Sequence, residues 1–408
     1  AFTFLPAWDI GITTINQLVT AVLPPQALPG LDFRDSGVPV DCRTAVVVPT
    51  LFASPADVQD ALDHLEVTAL ANTDDQLHFV ILSDFVDAPD ATMPGDDAIL
   101  AEAAAGIAAV NARYPTPDGD RFHLLHRPRR WNARQQTWMG WERKRGKLTE
   151  FNRLLRGGRR DGFAFIAGDV AALQAVRYVI TLDADTTLPP GSAIALIGTI
   201  AHPLNRAVYD PARGDVVAGY GILQPRVGIS LASAQRSRFA TILSGQPGLD
   251  PYTTAVSDVY QDLYGQGSFT GKGIYDVDAF TLATRGRFPE NTLLSHDLIE
   301  GNYARAGLTS AIIVYDDVPS GYLPHARRKH RWIRGDWQLL PWLRARVPGP
   351  AGPEPNRLSL LSRWKIVDNL RRSTVEIAQF LFIVAGWTVL AGSPLRWTLL
   401  GLGAIAAP

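Results

Sequence analysis

The chain has few of the residues that would fix its class at once. It carries one cysteine, Cys42, in 408 residues, so no disulfide framework can form within it and a reducing compartment fits. Positive charge is not in excess: 39 Lys and Arg face 40 Asp and Glu, a net charge of -1. That balance argues against a dedicated nucleic-acid binder, and none is expected as a partner. No internal repeat or low-complexity tract is visible, which excludes solenoids and disordered linkers as the main architecture. Only two methionines occur, and the chain begins at Ala1 with neither an initiator nor a basic-then-apolar leader. It reads as a piece of a longer, multidomain protein.

No apolar run reaches the roughly 20 residues a helix needs to cross a bilayer. Ala378–Gly392 falls short, Ser393-Pro394 interrupts it, and Trp397–Pro408 resumes; only Arg396 is charged from Ala378 onward. This stretch is expected to be the start of a membrane region that brings the chain to a lipid bilayer, with a buried core helix as the competing reading. Arg363, Lys365, Arg371 and Arg372 just before it would put that flank on the cytoplasmic side. Ile10–Leu23, closed by Pro24-Pro25, reads as an interfacial or packing helix.

What is present describes a folded α/β protein. Hydrophobic residues make up 46% and charged residues 19%, enough for one large core or two ordinary ones. Arg43–Leu51 is a β-branched run suited to a buried parallel strand, ended by Pro49. Val58, Leu62, Leu65 and Ala69 recur at helical spacing in Ala56–Leu70, behind a capping Ser54. Leu77–Ser83, Phe122–Leu125 and Tyr178–Leu182 read as further strands, Ala98–Ala112 and Thr149–Leu155 as helices. Strand and helix in alternation predict a mainly parallel sheet flanked by helices, with ligands at the strands' carboxyl ends. Ala311–Tyr315 is strand-like, Pro348–Pro355 reads as a linker, and Arg357–Gln379 as one helix. The expected organisation is an apolar helix and linker over 1–42 and one α/β domain over 43–347. That domain has a donor half to about 190 and an acceptor half beyond it. A linker, an amphipathic helix and the membrane region fill 348–408.

Val179-Ile180-Thr181-Leu182 runs straight into Asp183-Ala184-Asp185, and Thr-Thr and Pro-Pro then stop the strand. Alternate residues of a strand share a face, so both carboxylates can point into one site. Two such oxygens suit Mg²⁺ or Mn²⁺, which would neutralise a diphosphate; a plain surface turn is the competing reading. Asp84, after a strand, can accept from a base or ribose, or simply cap a turn. Lys147, in Trp141-Glu142-Arg143-Lys144-Arg145-Gly146-Lys147, precedes a helix and suits phosphate oxygens. This run belongs to a cationic stretch, Arg127 to Arg160, with twelve Lys or Arg against two Glu. Ser295-His296-Asp297-Leu298-Ile299-Glu300 sets a carboxylate among small and apolar neighbours, where it can serve as a general base or cap a helix. In Arg327–Trp337, guanidinium groups suit a departing diphosphate and indoles suit sugar faces. Gly271-Lys272 fails the P-loop pattern, because Gln266 and Gly273 stand where Gly and Ser or Thr are required. A glycoside hydrolase using Asp297 and Glu300 remains open, as does a non-catalytic glycan-binding domain.

In chain order these segments resemble the membrane-bound processive glycosyltransferases of the GT-A type, the group of cellulose and hyaluronan synthases. Its signatures fall on Asp84, on Asp183 with Asp185, on Asp297, and on Arg328-Lys329-His330-Arg331-Trp332. Ser295-His296 replaces Thr-Glu and Arg328 stands where Gln is usual, which sets the chain apart from those two activities. The runs His126–Asn132, Trp138–Lys147, Gly265–Asp276 and His330–Trp337 are similar to the glycosyltransferase domain of bacterial cyclic β-1,2-glucan synthases. The resemblance implies an inverting transferase that moves glucose from UDP-glucose to a growing β-1,2-glucan acceptor, at the cytoplasmic face of the inner membrane. It implies Asp185 and Asp183 as metal ligands and Asp297 as base. Asp84, Lys147, Asp183, Arg328 and Arg331 would hold the nucleotide-sugar, and Trp332 and His296 the acceptor. Chain initiation on the protein itself would draw on Tyr252, Tyr260 or Tyr264.

Overall fold

The computed structural model describes residues 4–117, 119–158, 160–244, 258–293 and 296–406. Its centre is an eight-stranded sheet. In chain order the strands are β1 (Thr44–Phe52), β2 (Leu77–Phe85), β3 (Phe122–Arg127), β4 (Phe165–Ala167), β5 (Tyr178–Thr181), β6 (Ile222–Ile229), β7 (Gly273–Asp276) and β8 (Ala306–Asp316). The spatial order is β8-β6-β7-β5-β1-β2-β3-β4. The run β5-β1-β2-β3 is parallel, as is β6 with β8, while β7 lies antiparallel between β5 and β6. The fold is therefore mixed α/β with a large, mainly parallel sheet, as the alternation of strand and helix predicts.

The strands are apolar on both sides because both faces are covered. In β1, Ala45 and Val47 enter one buried cluster while Val46 and Val48 enter the other. The helix α2 (Pro55–Ala71) covers the second face with Val58, Leu62, Leu65 and Ala69. Its start is a capping box: Ser54 accepts from the Asp57 N–H and Asp57 accepts from Ser54. The helix α3 (Asp96–Arg113) packs beside it. Pro49 does not end β1. Pairing with β5 stops at Val47, so the N–H that proline lacks falls beyond that ladder and the strand continues against β2.

Three boundaries differ from expectation. The helix α4 (Arg143–Leu155) starts six residues before Thr149, and both its cap, Glu142, and its first residue, Arg143, have positive φ. Pro348–Pro355 is not a linker but lies within a hairpin, Arg346–Gly349 against Gly352–Pro355, turned where Gly352 adopts φ +124°. The expected C-terminal helix runs on to Thr388.

The remaining helices that matter here are α5 (Ser192–Ala201), α6 (Asp297–Ala304), α7 (Tyr322–Gln338), α8 (Leu360–Thr388) and α9 (Pro394–Ala406). An N-terminal helix, Phe4–Val22, packs on α8 through Trp8 and Trp364, and Asp9 pairs with Arg371. Phe382 of α8 meets Trp397 of α9 edge-on. Among the described residues no helix is long and apolar enough to cross a membrane.

Candidate active site

Topology gathers the chemistry at the carboxyl end of β5. Because β7 is antiparallel to β5, with Gly273 opposite Thr181, the residues just before β7 arrive beside the residues just after β5. That brings Gly271 and Lys272 to Asp183. The end of β8 joins the same place through the bridge between Tyr315 and Thr187. From the opposite walls come the start of α4, the start of α6, and the face of α7 carrying Arg328, Arg331 and Trp332. Together they enclose a cleft of about 1130 Å³, which α8 closes with Asn369, Arg372 and Glu376.

The turn after β5 is held tightly. Thr186 donates its N–H to the Asp183 carbonyl at 3.1 Å and its hydroxyl to Asp316 at 2.7 Å. Asp183 is gripped from two sides. Lys144 Nζ lies 2.6 Å from its Oδ1, and Lys272 Nζ lies 3.0 Å from its Oδ2 while also pairing with Asp316. Burial alone would raise the Asp183 carboxyl, but the two ammonium groups outweigh it and hold it well below the usual carboxylate range. Asp185 behaves oppositely. Partial desolvation, then the negative charges of Asp316 and Asp183, raise its carboxyl. It makes no ion pair among the described residues.

Asp297 opens α6 and packs its carboxyl over Gly271. A β-carbon there would sit 2.9 Å from Asp297 Oδ2, and the residue has φ +97°, so both space and backbone require glycine. His296 lines the cleft beside it, with Nε2 3.9 Å from Glu142 and the ring edge-on to Phe288. Burial, then Arg145, hold its pKa well below 6.5, so the imidazole is neutral at pH 7. The Arg328 guanidinium lies 5.1 Å from the Trp332 ring centre and donates to the Asp317 carbonyl. Trp332 is half exposed.

Asp183, Asp185, His296, Asp297, Arg328, Arg331 and Trp332 thus share one cleft. Asp84 and Lys147 do not line it. Asp84 is 1% exposed and takes a two-pronged pair from Arg127, at 2.7 and 2.9 Å, plus Lys147 at 3.3 Å. Lys147 Nζ also donates to the Thr50 carbonyl. The early start of α4 explains this: Lys147 falls in the second turn and faces inward, and Lys144 in the first turn reaches the cleft. Tyr252 lies outside the described residues. Tyr260 donates to Asp368 and Tyr264 is exposed, and neither lines the cleft.

The sequence reading missed Lys144, Lys272 and Asp316 as cleft residues, and named Glu300 only in the competing hydrolase reading. Lys272 lay in plain view in Gly271-Lys272-Gly273, where the glycines signalled close backbone approach. As to a metal, no group of three or more His, Cys, Asp or Glu side chains among the described residues is placed to hold one. The donor set fits a shared site instead. A magnesium-like ion keeps waters and substrate phosphate oxygens and needs only one or two carboxylates. Asp185 is available for that, and its crowding by Asp316 and Asp183 is what a cation would relieve.

No protein-family model matches the chain. Among curated proteins it is 45% identical over 397 residues to cyclic beta-(1,2)-glucan synthase NdvB of Rhizobium meliloti (strain 1021). The match covers 97% of this chain and 14% of that protein. Among solved structures, S. aureus TarS 1-349 aligns with 90% of this chain and 80% of its own, at 11% identity and a TM-score of 0.39. The same protein in complex with UDP gives 12% identity and a TM-score of 0.40, with the same coverage. By sequence, the chain is a homologue of one segment of cyclic β-(1,2)-glucan synthase.

Proposed function

We propose that this chain is the glycosyltransferase unit of a cyclic β-1,2-glucan synthase, with a GT-A-type site that moves glucose from UDP-glucose onto the growing glucan with inversion. One observation carries the reading. Asp183 with Asp185, Asp297, and the Arg328–Trp332 segment lie far apart in sequence yet face a single cleft. The 45% identity to an enzyme of that name supports the product class.

Asp185, assisted by Asp183, would hold Mg²⁺ or Mn²⁺ against the diphosphate. Bound there, the ion supplies Lewis-acid stabilisation of the leaving UDP. Lys144, Lys272 and Arg331 add fixed positive charge where the diphosphate's negative charge grows. Asp297 takes the proton from the acceptor's 2-hydroxyl as that oxygen attacks the anomeric carbon and the bond to UDP breaks. Trp332 offers a stacking face for the terminal glucose, which selects the hydroxyl that is presented. Asp84 and Lys147 support the site from behind, bracing α4 against β2.

The membrane setting is part of the proposal. Phe380, Trp387, Leu395, Leu399 and Leu400 are exposed on α8 and α9, an apolar surface that suits contact with lipid at the cytoplasmic face of a bacterial inner membrane. The test is incubation of the full-length membrane protein with UDP-glucose and either ion, followed by methylation analysis. Only 2-linked glucose is expected. Another linkage would assign a different polysaccharide, and activity that survives EDTA would favour a glucan hydrolase.

A further inference from the structure

Glu300 lines the cleft one helical turn beyond Asp297, on the same face of α6. It is 4% exposed; its N–H donates to the His296 carbonyl, and its carboxyl has no hydrogen-bond or ion-pair partner among the described residues. Neighbouring groups are turned away from it. Lys144 pairs with Asp183 at 2.6 Å and the Tyr275 hydroxyl donates to Asn152 at 2.8 Å, while Arg145 lies 2.6 Å from Glu142 and leaves its own Nε without a partner among the described residues. Phe269, Phe280, Leu148 and Leu298 give this part of the cleft apolar walls. Native proteins rarely leave a buried polar side chain unpaired, and one that opens onto a binding cleft is most simply completed by the ligand.

We infer that Glu300 grips a hydroxyl of the sugar that reacts beside Asp297, and so helps to select which sugar is transferred. This rests on the glycosyltransferase reading above. Burial, then the Asp297 charge, push the Glu300 pKa up to about 8, against the opposing pull of Arg145 and Lys144. The groups facing it are Asp297 and His296 from α6 and its lead-in, Arg145 and Lys144 from α4, and Tyr275 from β7. Below that pH the carboxyl is neutral, with one O–H to donate and a carbonyl oxygen to accept. A sugar hydroxyl, itself both donor and acceptor, matches that pair. Above it, a second negative charge forms next to Asp297 and the donor is lost.

The test uses the full-length protein with Glu300→Gln and Glu300→Leu. UDP binding is measured alongside kcat/KM for UDP-glucose, for its monodeoxy analogues and for a β-1,2-glucan acceptor. Glu300→Leu is expected to bind UDP normally, to lose at least about tenfold in kcat/KM, and to stop discriminating against one deoxy-sugar. Wild type is expected to lose activity above about pH 8, and Glu300→Gln to keep that discrimination without the decline. Altered choice among donor analogues places the gripped hydroxyl on the UDP-sugar; a raised acceptor KM with donor choice unchanged would put Glu300 against the glucan instead and overturn its part in selecting the transferred sugar. Unchanged discrimination in Glu300→Leu, or loss of UDP binding in both variants, would overturn the role of Glu300. A wild-type protein that transfers no glucose would overturn the function on which the role rests.

Discussion

Lys272 holds Asp183 at 3.0 Å, and because Lys144 holds the other oxygen of the same carboxylate, the two acids of Asp183-Ala184-Asp185 are not equivalent. The first is neutralised by protein, and the second faces the cleft with its charge unmet. In the proposed mechanism the first acid would organise the loop and the second would receive the ligand's cation. The same arrangement separates Lys144 from Lys147, three residues apart on one helix.

Replacing Lys144 with alanine is expected to raise the KM for UDP-glucose about tenfold or more, the scale of one lost hydrogen bond to a charged group, with little change in stability. Lys147→Met is expected to do the reverse. It strips a buried partner from Asp84, so unfolding free energy should fall by about 3 kcal/mol while KM stays near wild type. Denaturant titration and steady-state kinetics on both variants distinguish the two. A raised KM in Lys147→Met at unchanged stability would restore that residue to the phosphate site.

Asp297→Asn keeps the side-chain shape over Gly271 but removes the base. UDP-glucose binding should persist while transfer falls at least about a hundredfold. Wild-type turnover would remove Asp297 from the reaction.

Two buried histidines set the acid limit of stability. Burial pushes His126 down to about 4 and His123 down to about 3, both from 6.5. Unfolding lets each take up a proton near pH 6.5, so their contribution is complete above that pH and is lost as the pH falls toward 4 and 3. Between pH 7 and pH 5 each should cost about 2 kcal/mol. Denaturation midpoints measured across that range check it, and a midpoint unchanged at pH 5 would contradict the burial.

Much of this was readable in the sequence, for reasons that are local. Ser54 and the spacing of Val58, Leu62, Leu65 and Ala69 fixed α2 because capping and periodicity act within a few residues. The strands β1, β2, β3 and β5 declared themselves as β-branched runs bounded by turn formers. Asp183, Asp185, Asp297, Arg331 and Trp332 could be read as sharing a cleft because each belongs to a distinct motif, though a surface turn and a helix cap were competing readings for the acids. What stayed hidden depends on register and topology. The start of α4 turns on two residues in a left-handed conformation that L side chains rarely adopt, so the helix began early and brought Lys144, not Lys147, to the cleft. Lys272 reaches Asp183 only because β7 runs antiparallel within the sheet, and Asp316 joins it through the bridge between Tyr315 and Thr187, neither of which a local pattern encodes. The hairpin at 346–355 was masked by its prolines, which read as linker until Gly352 is seen to close the turn.

The most direct test is a titration of UDP, with and without Mn²⁺, into the wild-type protein and Asp185→Ala. Metal-assisted transfer requires tight binding only when the ion is present, and requires the substitution to abolish that difference. Equal affinity in all four titrations would mean that no cation bridges Asp185 and the diphosphate.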